Sequence, residues 1–341
     1  MNKRLVWAEI VRIFAIYCII VLHVLVFPIP QNAPFIFFLG LTLADTCVPL
    51  LVILSGALLI GKEESYFTFF RKRVSRVIIP WLTWTCIFTA VSLYFQANLS
   101  LGNIIHIFHL IFIPFFWFIV LICTLYLITP ALRIFAHAAK IHDILLIVIL
   151  WFAAVSVLPY IRNTQAFPLH VDNGIVRLVI NFIGYFLIGF LITKVKHQKK
   201  YIILSAVVFI VSFVVRSYIE YYSVYNDQQL INGSDFIDPG LIIVSTSLFS
   251  LFYLLEDVYQ QMFNQLTKKA LSMISKATLG IYFVHYLFLN RAPLPILLST
   301  TSLIHVSYTT DLFINGFLFF AISFFIIFFL QKISSIKHLV A

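Results

Sequence analysis

The sequence predicts an all-α, polytopic membrane protein with about ten transmembrane helices and both termini in the cytoplasm. Three observations carry this. Hydrophobic residues make up 62% of the 341 and charged residues only 11%, against about 25% charged in a soluble domain, so the chain cannot cover a soluble surface. Mean hydropathy is +1.03, and the apolar residues fall in runs of about 20, the length that crosses a bilayer as a helix. Lysine and arginine concentrate in every second loop between those runs. No room remains for a separate soluble domain, so residues 1–341 read as one membrane domain.

The first expected span, 7–27, follows Lys3 and Arg4. It resembles a signal peptide, but its apolar run is too long and no small-residue cleavage site follows. Spans 36–60 and 77–97 flank the basic segment with Lys62, Arg71, Lys72, Arg73 and Arg76. Span 104–129 leads into Arg133 and Lys140, and spans 142–160 and 175–194 into Lys194, Lys196, Lys199 and Lys200. Spans 201–222 and 238–255 precede Lys268, Lys269 and Lys276, and spans 273–290 and 312–331 end before Lys332 and Lys337. With Arg12, these make 19 of the 23 basic residues; only Arg162, Arg177, Arg216 and Arg291 fall towards the other side. The positive-inside rule places the basic side in the cytoplasm. The opposite loops carry Asp172, Glu220, Asp227, Asp235, Asp238 and Asp311, and a tyrosine-rich stretch from Tyr221 to Asp227. Those groups suit a sugar; they equally suit an aromatic belt at the interface.

The net charge of +10 does not indicate nucleic acid, because the basic residues are distributed by topology. Cys18, Cys47, Cys86 and Cys123 lie in apolar runs without metal-ligand spacing and read as small buried hydrophobes; no metal is expected. Gly184 and Gly189 are five apart, which misses the i,i+4 helix-dimer spacing.

Ionisable groups inside a bilayer are costly, and the first span holds three: Glu9, Arg12 and His23. Glu9 and Arg12, at i and i+3, share a face and can pair. His23 lies about 16 Å further along the axis on nearly the same face. An imidazole titrates near neutrality, so His23 could deprotonate a hydroxyl or accept an acyl group itself; the alternative is a structural hydrogen bond between helices. Arg71, Arg73 and Arg76 form a cationic helix start suited to phosphate, coenzyme A included, or to lipid headgroups. His285, on an outward-running span, falls near the depth of His23, and the two could line one cavity. Asp45 lies at similar depth and could orient an imidazole.

These residues occur in an order that resembles the acyltransferase 3 family of integral membrane acyltransferases, most closely its surface-polysaccharide O-acetyltransferases. The resemblance runs from Glu9-x-x-Arg12-x10-His23 through Val48-Pro49 to Ser55-Gly56. It continues through Arg73-x-x-Arg76 with Ile79-Pro80, then Phe116-Trp117-Phe118, Tyr126 and Thr129-Pro130. Gly184 to Gly189 and Leu279-Gly280-Ile281-Tyr282-x-x-His285 complete it. It implies a ten-helix core, acetyl-CoA as cytoplasmic acyl donor and a glycan acceptor on the outer face of a bacterial cytoplasmic membrane. His23 would be the catalytic histidine with Arg12 and Glu9 beside it, and Arg71, Arg73 and Arg76 the coenzyme A contacts. His285, Asp45, Tyr282 and Trp117 are candidates on the acceptor side. Two departures stand out: Glu9 replaces the family's usual aspartate, and Phe115 replaces a histidine. Two rival readings are a polysaccharide exporter, which would work without acyl-CoA, and a membrane scaffold, which would tolerate alanine at His23.

Overall fold

A computed structural model describes residues 4–24, 33–96, 100–110, 116–161, 174–226, 236–288, 308–333, 336 and 338–339. Among the described residues every regular element is helical: α1 (Val6–Val24), α2 (Phe35–Asp45), α3 (Cys47–Leu59), α4 (Tyr66–Arg73), α5 (Ile79–Gln96), α6 (Leu101–Leu110), α7 (Trp117–Ala138), α8 (Ile141–Trp151), α9 (Leu158–Ile161), α10 (Gly174–Ile192), α11 (Lys199–Tyr225), α12 (Pro239–Leu254), α13 (Glu256–Met262), α14 (Gln265–Val284) and α15 (Tyr308–Leu330). Lys3, Phe115, Arg162, Asp172, Asp227, Asp235, Arg291 and Lys337 lie outside the described residues, as does the side chain of Asp311.

Among the described residues, six helices or joined helices are long and apolar enough to cross a membrane, or seven if α12 and α13, bent by 48°, count as one. The apolar parts of α8 and α10 are shorter. Expected span 104–129 is not one helix. α6 is described as far as Leu110, and α7 begins at Trp117 after Phe116, whose backbone is not helical.

The α2–α3 span is the core, with 83% of its apolar window buried inside the protein; α11 is peripheral, with 11%. Two glycines let α3 and α10 approach to backbone contact. A Cβ on Gly56 would collide with the carbonyl of Phe186, and one on Gly189 with the carbonyl of Ile53. Gly184 instead admits the indole of Trp151. The two glycines of α10 therefore serve two different neighbours, which accounts for a spacing unlike that of a helix dimer.

Of the four cysteines, Cys18 and Cys47 are buried, Cys123 is half-buried and Cys86 is exposed. The expectation that all four are buried fails at Cys86. An apolar side chain on a spanning helix satisfies the bilayer as readily as a protein core, so apolar sequence does not imply burial.

Glu256 fixes the start of α1. Its carboxylate accepts from the backbone N–H of Val6 at 3.3 Å and Trp7 at 2.8 Å, two donors that a helix start leaves unpaired. Trp7 then packs edge-on against Phe249 and Tyr253 of α12. This anchors the helix that carries Arg12 and His23.

Candidate active site

His23, near the end of α1, and His285, in the turn of 3-10 helix His285–Phe288 that follows α14, meet directly. His23 Nδ1 lies 2.8 Å from His285 Nε2. Their ring planes differ by 12° with centroids 5.1 Å apart, so the rings meet edge to edge along the hydrogen bond and are not stacked face to face. His285 is fully buried, whereas His23 is half-buried.

The hydrogens follow from the acceptors. The carbonyl of Ile281, 3.3 Å from His285 Nδ1, can only accept, so Nδ1 of neutral His285 carries the hydrogen. His285 Nε2 then holds a lone pair and accepts from His23 Nδ1–H. The lone pair of His23 therefore sits on Nε2, which faces the hydroxyl of Tyr286 at 3.4 Å. His285 thus orients His23 much as a carboxylate does in a hydrolytic triad, without a second buried charge. Tyr282 and Tyr286 lay aromatic rings against the pair, and Phe116 packs on both tyrosines.

A cationic group lies at the other end of α1. Arg12 donates to the hydroxyl of Ser275 on α14 at 3.2 Å. Arg12 and Arg73 are each within electrostatic reach of Arg76 and of the Tyr126 hydroxyl. A turn of π-helix over Val74–Ile78 leads from α4 into α5. It accommodates Pro80, which has no N–H to offer the carbonyl of Arg76. Arg73 is thereby turned in and Arg76 out. The guanidinium of Arg73 lies over the rings of Phe69 and Tyr126 and 3.9 Å from Glu64, and its Nε is buried without a hydrogen-bond partner among the described residues. Arg71 is exposed.

Glu64, in the loop before α4, organises this end. It pairs with Lys72 at 2.7 Å and with the buried Arg133 at 3.2 Å. Burial opposes its charge, but the hydrogen bonds from Lys72 and Arg133 and the charge of Lys62 outweigh it, and the carboxyl is held down at about 2.

Two expected placements are corrected. Glu9 does not pair with Arg12; its carboxylate binds Arg4 at 2.6 Å, because Arg4 precedes the helix and wraps back around its first turn. Arg4 also donates to the carbonyl of Lys268. Asp45 does not approach an imidazole. It binds Arg216 of α11 at 2.8 Å, in a buried group where the same guanidinium meets Glu220 at 3.1 Å and Asp238 at 3.2 Å. Glu220 and Asp238 are therefore core ligands of Arg216 and not solvated loop residues. Trp117 packs on Phe182 and Phe236, and its neighbour Phe116 packs on Tyr282 and Tyr286.

A family model described as an acyltransferase domain matches residues 5–332, almost the whole chain and both ends of the site. This chain belongs to the acyltransferase 3 family. No curated protein and no solved structure is similar enough to match it. Membership makes the protein a membrane acyltransferase by family, with apolar helices of the kind that such an enzyme needs. Sequence reasoning missed Tyr286, Ser275 and Arg216 as partners. Tyr286 adjoins His285 in the chain, which is a usable signal; the other two have none short of the fold.

Proposed function

We propose that this member of the family is an O-acyltransferase of a bacterial cytoplasmic membrane. It moves an acetyl or other short acyl group from cytoplasmic acyl-CoA to a hydroxyl of a cell-surface or lipid-linked polysaccharide. The observation that carries the reading is the 2.8 Å contact of His23 with His285, which orients the half-buried imidazole of His23 with its Nε2 towards the Tyr286 hydroxyl.

Arg73 and Arg76, with Arg71 beside them, bind the phosphates of coenzyme A; the unpaired Nε of Arg73 supports this. Arg12 and Tyr126 flank the path of the thioester arm along α1 towards His23, about 16 Å away. His23 Nε2 takes the proton of the acceptor hydroxyl as its oxygen attacks the thioester carbonyl. The carbon–sulfur bond breaks, and the coenzyme A thiolate leaves and recovers that proton from His23. The products are an ester and free thiol. In the two-step variant His23 Nε2 attacks first and hands the acyl group on. Both termini lie in the cytoplasm, as the alternating basic loops support, so donor and acceptor meet from opposite faces.

The test is binding and hydrolysis of radiolabelled acetyl-CoA by purified protein in detergent. Wild type binds and slowly turns over. His23→Ala binds but is inert, and Arg73→Ala/Arg76→Ala does not bind. His285→Phe binds normally and loses about 10²–10⁴-fold in rate. Absence of any interaction with acetyl-CoA and other short acyl-CoAs would sink the enzyme reading and favour an exporter.

A further inference from the structure

The outer surface of α11 carries a feature that acyl transfer to a soluble glycan does not use. Between α11 and α12 lies a groove of about 510 Å³, walled by Val207, Val211, Val215 and Ile219 on one side and Pro239 and Ile243 on the other. α11 is the least buried of the spanning helices, so the groove opens towards lipid. Its polar residues face away from it. Arg216 is turned onto Asp45, Glu220 and Asp238. Asp238 also accepts from the N–H of Leu241, and Ser212 bonds to the Val208 carbonyl of its own helix. The wall is therefore hydrocarbon. From Val207 to Ile219 it runs about 18 Å along the helix, close to the hydrocarbon depth of one leaflet, roughly 15 Å.

The same face continues without a break into phenols. Val207, Val211, Val215, Tyr218, Tyr222 and Tyr225 are all exposed and follow one another at spacings of three or four, which is a single helical stripe. The ring of Tyr218 is 6.4 Å from those of both Tyr221 and Tyr222, and Tyr221 is 4.5 Å from Tyr225. Tyr225 is fixed by donating to the carbonyl of Ala33. An interfacial belt accounts for isolated rings; here Tyr218 touches Tyr221 and Tyr222, and Tyr221, half-buried against Phe35 and Phe38, links on to Tyr225, so the exposed rings of Tyr218, Tyr222 and Tyr225 stand on a connected platform. Flat ring faces with hydroxyl edges match the apolar faces and hydroxyls of a sugar.

We propose that the groove and the tyrosine platform form one binding site for a glycolipid, its hydrocarbon chain in the groove and its sugar against Tyr218 and Tyr222. The inference rests on the proposed function in taking this glycolipid as the acyl acceptor. Arg216, beneath the groove, ties α11 to Asp45 on α2, and α2 packs against α1, so the platform is held in register with the helix that carries His23.

The experiment uses full-length protein in phosphatidylethanolamine/phosphatidylglycerol vesicles and two photoactivatable probes. Both carry the same diazirine-labelled alkyl chain; one has a glucosyl headgroup, the other phosphocholine. The expected result is labelling of α11 and α12 by the glucosyl probe about ten-fold above the phosphocholine probe. Val211→Trp, at an exposed position that folding does not need, removes groove labelling by both probes. Tyr218→Ala/Tyr222→Ala lowers glucosyl labelling about ten-fold and leaves phosphocholine labelling unchanged. His23→Ala labels like wild type. Equal labelling by the two probes, the behaviour of boundary lipid, overturns the proposal, as does labelling indifferent to Val211→Trp. Retained labelling in a protein with no acyl-CoA activity would count against the enzyme reading alone; lost labelling with acetyl-CoA hydrolysis intact would count against the glycolipid site alone.

Discussion

Replacing Arg216 by methionine tests whether the buried ionic group holds the α2–α11–α12 region together. The guanidinium is the cation shared by Asp45, Glu220 and Asp238, and it also donates to Thr42 at 3.0 Å. All four side chains of the ionic group are buried. Methionine fills the stem volume but leaves three carboxyl groups in an apolar space without the charge that balanced them. Removing one partner of a buried pair costs about 3–5 kcal/mol, because the charge left behind has no water to return to. Unfolding entropy of about 2.1 cal/mol/K per residue gives about 0.7 kcal/mol/K for a chain of this length. The midpoint should therefore fall by about 4–7 °C. The assay is thermal unfolding in detergent, read by a thiol-reactive dye on the buried Cys18 and Cys47 in a Cys86→Ala/Cys123→Ala background, since Cys86 is exposed and Cys123 half-buried. A companion variant adds Asp45→Asn, Glu220→Gln and Asp238→Asn, keeping the shape and removing the charge. It should recover most of the loss, because the amide oxygen that Asp238→Asn introduces can still cap α12. A midpoint for Arg216→Met within about 1 °C of wild type, or a companion no better than the single variant, would refute the reasoning.

Glu64 makes a pH-dependent contribution outside the membrane. Its folded-state carboxyl is held at about 2, below its ordinary 4.5, so its contribution is complete above pH 4.5 and is lost as pH falls towards 2. Glu64→Gln should lower stability by about 1–2 kcal/mol at pH 7, and denaturation compared across pH should show that gap closing between those two values. Gly189→Leu drives a side chain into the backbone of α3 and should cost at least about 3 kcal/mol, seen as loss of monodisperse protein on size exclusion. Gly102→Ala in α6 meets open space and should raise the unfolding midpoint slightly, by up to about 1 kcal/mol of helix propensity.

Much of the class was legible because a bilayer imposes a length and an average polarity on each segment, and both can be counted along a chain. The stripe of Arg12 and His23 on one helix was legible for a similar reason: helical repeat fixes which residues share a face. Partner choice was not. Glu9 sits three residues from Arg12, yet Arg4 reaches it from outside the helix; Asp45 sits at a depth where an imidazole would suit it, yet Arg216, 171 positions away, takes it. Depth along a helix can be read from sequence, but rotation about its axis relative to neighbours cannot, and rotation decides which charges meet. The contact of His23 with His285 shows the division. Similar depth is written into the two segments, whereas the 2.8 Å separation, the edge-to-edge geometry and the lone pair left on Nε2 exist only once α1 and α14 have packed.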